Sequence, residues 1–240
     1  MTEAIQAFYK GAVRVVLLIQ MEQKDFLAQF HYSFICSLPD HAIQLKNIIL
    51  YAFPENTKVM PDPFDLHLNI RLENERDPEI LSNYEANLSI NNLKGDLDTY
   101  FRTRSDELLD CICNKLMQSV ERLNGREVPS NAVINAVILY FLKRAPENLM
   151  EDTFEKIMCR LDDETKICFI NAAVNELRYP NSHTFQVCLI LTKIYKRSDP
   201  HIKDQITRVL FERLQAHPPH PWGLLIIFRE FNQNGELQFN

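Results

Sequence analysis

A chain of 240 residues, 46% hydrophobic and 24% charged, is long enough for one sizeable core and too apolar for a disordered segment. Its five glycines are scattered along the chain, which excludes the clustered glycine loops that cradle phosphate in P-loop and dinucleotide-binding proteins. The formal charge of −6 is concentrated in residues 54–110, which carry thirteen acidic and six basic side chains; no basic block remains to release counterions from a nucleic acid, so direct nucleic-acid binding is not expected.

Scarce glycine with abundant Leu, Ile, Asn, Glu and Lys favours helices. Apolar periodicity and capping signals predict helices near 2–20, 22–37, 40–52, 93–102, 105–122, 130–144, 149–160, 162–178, 181–197, 200–215 and 221–232. Leu45, Ile48, Ile49 and Ala52 mark one wall of a one-sided helix, as do Ile202, Ile206, Val209 and Leu210. Val133–Leu142 and Phe185–Tyr195 are apolar nearly all round, as helices covered on several faces are. Ser105, Ser130, Asn181 and Asp199 stand where N-caps belong, and Asn124-Gly125 reads as a left-handed stop.

The interval 53–92 breaks this rhythm. It holds four prolines and most of the acidic excess, and Phe64, Leu66, Leu68, Ile70 and Leu72 alternate as an extended segment does. The expected fold is therefore all-α, built of stacked antiparallel helical pairs in one domain spanning 1–240, with one long extended strap around residues 53–92.

Six scattered cysteines form no C-x-x-C pair, and most lie in apolar runs, which suits a reducing compartment. The N-terminus shows no charged n-region followed by an apolar h-region. The longest uninterrupted apolar runs, Val15–Ile19 and Gly223–Phe228, fall well short of about 20 residues, so no membrane span is expected.

Catalytic signals are thin. His217 and His220 flank two prolines and could share a face as metal ligands, but the spacing equally describes a rigid helix connection, and no H-E-x-x-H or cysteine pair supports a metal. Asp62, Asp65, Asp96 and Asp98 could in principle hold two metals for phosphodiester cleavage; a solvated acidic surface explains them more simply. No G-x-S-x-G elbow is present, and neither a cofactor nor a catalytic residue is expected.

Two turns carry more chemistry than a core requires. One is Arg178-Tyr179-Pro180-Asn181-Ser182-His183-Thr184, between two apolar helices. The other is His220-Pro221-Trp222-Gly223-Leu224-Leu225, holding the sole tryptophan beside a glycine, as a close helix approach with an indole wedge would require. Arg178, Tyr179, Asn181, His183, His220 and Trp222 are the candidate partner-binding residues, since locked corners and binding anchors use the same residue types.

These stretches carry a resemblance. Phe169–Ala173 running into Leu177–Thr184, then Gln205–Leu210, Glu212-Arg213-Leu214 and His220–Leu225, resemble in the same order the C-terminal domain of Not-one (Not1), the scaffold subunit family of the Ccr-four–NOT (CCR4-NOT) deadenylase complex. Arg14-Val15, Phe30-His31-Tyr32, Gln44–Asn47, Ala52-Phe53-Pro54, Pro61–Phe64 and Leu97-Asp98 agree, so the resemblance covers nearly the whole chain. It implies a non-catalytic, HEAT-like helical platform that docks NOT-box subunits and, in some members, short peptides of RNA-binding regulators. It further implies a part in mRNA poly(A) shortening, mRNA decay and translational repression, in the cytoplasm and also the nucleus. The pattern departs from the family between about 115 and 160, which is shorter, and at Leu237–Asn240, where the family continues. Two other readings remain at this point: a carboxylate-metal phosphoesterase, or a helical translation-factor-like binding module.

Overall fold

The computed structural model describes residues 3–57, 60–65, 76–90, 92–123 and 125–233. Among them the fold is all-α, with thirteen helices and one two-stranded hairpin. The chain divides into two compact units, Met1–Ser82 with Glu176–Cys188 and Leu210–Asn240, and Asn83–Asn175 with Leu189–Val209.

The first unit opens with α1 (Glu3–Glu22), α2 (Lys24–Gln29), α3 (His31–Ser37) and α4 (Ile43–Tyr51). Its core gathers Leu27, Ala28, Ile35, Ile49, Leu50, Ala52 and Tyr179, edged by Val16, Ile19 and Phe34. A single helix over 22–37 is the sequence expectation, but the chain breaks at Phe30. The cause is a long-range contact: the Ala28 carbonyl, which would face Tyr32 in an unbroken helix, accepts from the Arg178 guanidinium at 2.6 Å.

No residue of α1 is buried. Its inner stripe, Val16 and Ile19, rests on the core, while Phe8 is 80% and Met21 72% exposed. Its best 18-residue window has a mean hydropathy of 1.2, enough by length and composition to cross a membrane. Lys10 and Arg14 keep its uninterrupted apolar runs short, so the criterion is met by the average over the window and not by an unbroken apolar run.

The second unit contains α5 (Glu85–Ser89), α6 (Leu93–Thr103), α7 (Asp106–Gln118), α8 (Asn131–Arg144), α9 (Glu147–Arg160) and α10 (Asp163–Val174). α8 is buried continuously from Val133 to Leu142, as its all-round apolar sequence predicts. An aromatic series, Phe101–Phe141–Phe154–Phe169, runs through this core at centroid spacings of 5.1, 5.8 and 5.2 Å. Ser105 Oγ accepts from the Leu108 N–H, and Asp162 from that of Thr165, so α7 and α10 are capped by their own side chains.

Four expectations are corrected. The helix predicted to 122 stops at Gln118, and β1 (Val120–Leu123) pairs antiparallel with β2 (Arg126–Pro129). Gly125, at φ 81°, turns that hairpin instead of ending a helix; a Cβ would strain it. α5 interrupts the expected strap, and α10 ends at Val174, four residues before the predicted boundary. Of the alternating strap residues, Phe64 is 55% exposed, and Leu66, Leu68, Ile70 and Leu72 lie outside the described residues.

α11 (Ser182–Arg197) and α12 (Pro200–Leu214) contribute residues to both units, and α13 (Trp222–Gln233) closes the described chain in the first. Asp199 caps α12 by accepting from the His201 and Ile202 N–H groups at 2.9 and 3.0 Å, as its place before Pro200 predicts.

Candidate functional site

The two turns singled out in the sequence meet in the first unit. The Gly223 N–H donates to the Arg178 carbonyl at 2.6 Å, seating the start of α13 on the 177–184 turn. A Cβ at Gly223 would stand 2.6 Å from Thr184 Cγ2, 2.8 Å from Leu177 C and 2.9 Å from Leu177 Cα, so only glycine allows the approach. Asn181 holds the turn from within: its Nδ2 donates to the Tyr179 carbonyl at 2.6 Å, and its Oδ1 accepts from the Thr184 N–H at 3.0 Å, capping α11.

Beneath the turn lies a buried ionic cluster. Arg178 is fully buried; one arm donates to the Ala28 carbonyl, and the other, Nη1, lies 3.0 Å from His31 Nδ1. A guanidinium can only donate, so Nδ1 accepts and the ring proton sits on Nε2, which donates to Glu176 Oε1 at 3.1 Å. His183 Nδ1 stands 3.7 Å from the other carboxylate oxygen. His31 thus bridges a buried cation and a buried anion. Burial, then the Arg178 charge, lower its pKa, so the ring is neutral near pH 7. Burial alone would raise the Glu176 pKa; the electrostatic pull of the His31 and Arg178 side chains, with the hydrogen bond from His31, brings it well below the usual carboxylate range.

The structure brings all six candidates into this one unit, with five of them buried. Of the two uses open to such residues, locked corner or binding anchor, their geometry is that of a locked corner. Arg178, Asn181 and His183 are turned into the protein, Tyr179 joins the core beneath the guanidinium, and Trp222 packs edge-on against Phe185 at 5.9 Å. His220 is half-buried, and burial lowers its pKa. Sequence reasoning missed Glu176, which it assigned to the last turn of a helix, and Arg229, whose partners are backbone carbonyls more than 160 residues away. No local signal marks either.

Among the described residues no three His, Cys, Asp or Glu side chains gather as a metal would require. Asp96 is engaged by the Lys115 ammonium at 2.5 Å, and Asp98 accepts from the Tyr140 hydroxyl at 2.6 Å, so these carboxylates already have protein partners.

With this geometry in place, the comparisons are decisive for family. A family model described as "CCR4-Not complex component, Not1" matches residues 1–240. The chain belongs to the Not1 family. Its relatives include the "CCR4-NOT transcription complex subunit let-711" of Caenorhabditis elegans, 33% identical over 99% of this chain and 10% of that protein. A second is the "General negative regulator of transcription subunit 1" of Saccharomyces cerevisiae, 28% identical over 98% of this chain and 12% of that protein. This Not1-family chain thus spans about a tenth of the curated relatives it matches. A solved structure described as "Not1 C-terminal domain in complex with Not4" superposes with a TM-score of 0.87 at 26% identity, over 98% of this chain and 52% of that one. The Not1 superfamily homology domain of Chaetomium thermophilum shares the fold, with a TM-score of 0.83 at 24% identity.

Proposed function

We propose that this chain is a non-catalytic docking platform for NOT-box subunits of a CCR4-NOT deadenylase assembly, and supports mRNA poly(A) shortening, mRNA decay and translational repression through the partners it holds. The observation that carries this reading is the likeness, over nearly the whole chain, to a Not1 C-terminal domain solved in complex with Not4. The surface supports it: Ile5, Phe8, Val15, Leu18 and Met21 are exposed along α1, a row of apolar side chains of the sort that partner proteins cover. In this reading Arg178, Tyr179, Asn181, His183, His220 and Trp222 shape the platform from within and do not touch the partner. The acidic balance fits a protein that reaches RNA only through others.

The test is reconstitution. Mixed with NOT-box subunits from the same source, the chain is expected to co-elute with at least one of them at micromolar concentration in size-exclusion chromatography. Separate elution of every such subunit would overturn the docking reading. Release of nucleotides from poly(A) by the purified chain with magnesium or manganese would overturn the non-catalytic one.

A further inference from the structure

α1 carries two apolar seams side by side, and the chain's own core takes only one of them. The inner seam is Tyr9, Ala12, Val16 and Ile19; Tyr9 and Ala12 are half-buried, Val16 and Ile19 pack on the core, and the helix lies against α2 and α4. One residue back, and so about 100° round the helix, Phe8, Gly11, Val15 and Leu18 repeat the same alternation of three and four. Ala4 extends this outer seam by one more step, and all five of its residues are exposed. A narrow seam with that alternation is the geometry in which one helix receives another, knobs into holes.

Gly11 stands mid-helix at the centre of the outer seam. A Cβ there would meet nothing within 4 Å. Glycine weakens a helix interior relative to alanine, and no neighbour inside the chain makes use of the missing methyl. A notch of this kind serves a second helix that crosses closely, since the distance between two helix axes is set by the side chains at the crossing.

The border of the seam gives the charge of what fits it. Lys10 and Arg14 are exposed one turn apart along one flank, with no carboxylate partner among the described residues, while the helix's own acids, Glu3 and Glu22, stand at its two ends. An antiparallel second copy of α1 would set these cations against themselves. A parallel copy would stack glycine on glycine and leave both cations unanswered. An acidic flank answers them.

Resting on the docking reading above, we propose that the outer face of α1 receives one amphipathic helix of a partner subunit, which crosses closest at Gly11 and carries acidic side chains along the flank facing Lys10 and Arg14. The decisive variant is Gly11→Leu. Its side chain enters open space, so helicity and the thermal midpoint should hold or rise while docking is lost, a split that a structural role for Gly11 would not produce.

Two designed helical peptides of about three heptads serve as probes; they share one leucine seam and differ only in flanks of Glu or Lys. In fluorescence anisotropy the Glu peptide should bind the unaltered chain about tenfold more tightly than the Lys peptide, and Lys10→Glu with Arg14→Glu should invert that order. Gly11→Leu should weaken the Glu peptide about tenfold or more. Equal binding of the two peptides, or binding indifferent to Gly11→Leu, overturns the proposal. NOT-box subunits that co-elute with the unaltered chain should be lost from Gly11→Leu; if they are retained, the seam is overturned and the docking reading stands. Peptide binding with the predicted charge order and no subunit retained would support the seam and overturn the docking reading. Self-association of the unaltered chain that Gly11→Leu abolishes, seen by light scattering, would make a second copy the occupant and overturn the proposal. Flotation of the chain with phosphatidylserine vesicles, lost in Gly11→Leu or in Lys10→Glu with Arg14→Glu, would overturn it in favour of a lipid surface.

Discussion

Charged residues do opposite work in the two units. In the first, His31, Glu176, Arg178 and His183 are sealed from water, and their bonds join chain positions about 145 residues apart. In the second, the charges lie on open helix faces: Asp106 with Lys156 and Arg160, Asp110 with Arg160, and Glu151 with Lys193 and Arg197. A surface pair loses to solvent and side-chain entropy most of what it gains from attraction. A buried cluster has already paid desolvation, and removing one member leaves a charge with no answer. The cluster therefore specifies where α2 ends, where the 177–184 turn sits and how α13 starts. The surface ladders only tune the packing of α7, α9 and α11.

The sharpest way to break this contrast is Arg178→Met, which strands Glu176 and frees the Ala28 carbonyl; it is expected to cost about 3–5 kcal/mol in denaturant unfolding. Adding Glu176→Leu should recover a good part of that loss, since the penalty lies in the orphaned charge. Next comes Gly223→Ala. The added methyl meets Leu177 backbone, and about 1–3 kcal/mol of destabilisation is expected, read in the same titration.

The cluster should also show itself through pH. His31 is neutral in the folded chain, whereas the unfolded chain takes up a proton at a histidine below about pH 6.5, so the unfolded state binds more protons and stability falls as the pH drops through that value. Glu176 acts in the same direction in a second window, below about pH 4.3, where the unfolded carboxylate protonates and the folded one does not. Thermal midpoints measured from pH 7.5 to 5 should decline in the unaltered chain and decline less in His31→Gln. The smallest effect belongs to the ladders. Glu151→Gln should cost about 1 kcal/mol or less, and that difference should shrink in high salt.

Much of the architecture was legible beforehand because the information is local. Apolar spacing places α4, α8 and α12, and Ser105, Asn181 and Asp199 cap helices where their side chains suggest. Glycine beside tryptophan announces the tight approach of α13. What escaped is non-local. The break at Phe30 is made by an arginine 150 positions away from the carbonyl it takes, and nothing in residues 22–37 foretells it. The hairpin at 120–129 is a different case: its signal, Asn124-Gly125, is local but reads as well for a helix stop as for a two-residue hairpin turn. The site was legible as two chemically rich turns, but not as one buried place, because burial is decided by what packs over a residue and not by its type.

The crowding at Gly223 has an evolutionary side. Two of the three atoms facing the missing methyl are backbone, so no exchange of neighbouring side chains can open enough room. Drift at this position is closed for as long as the corner exists. Lineages that retain the corner are expected to hold glycine there even where Arg178 and Glu176 have been replaced together.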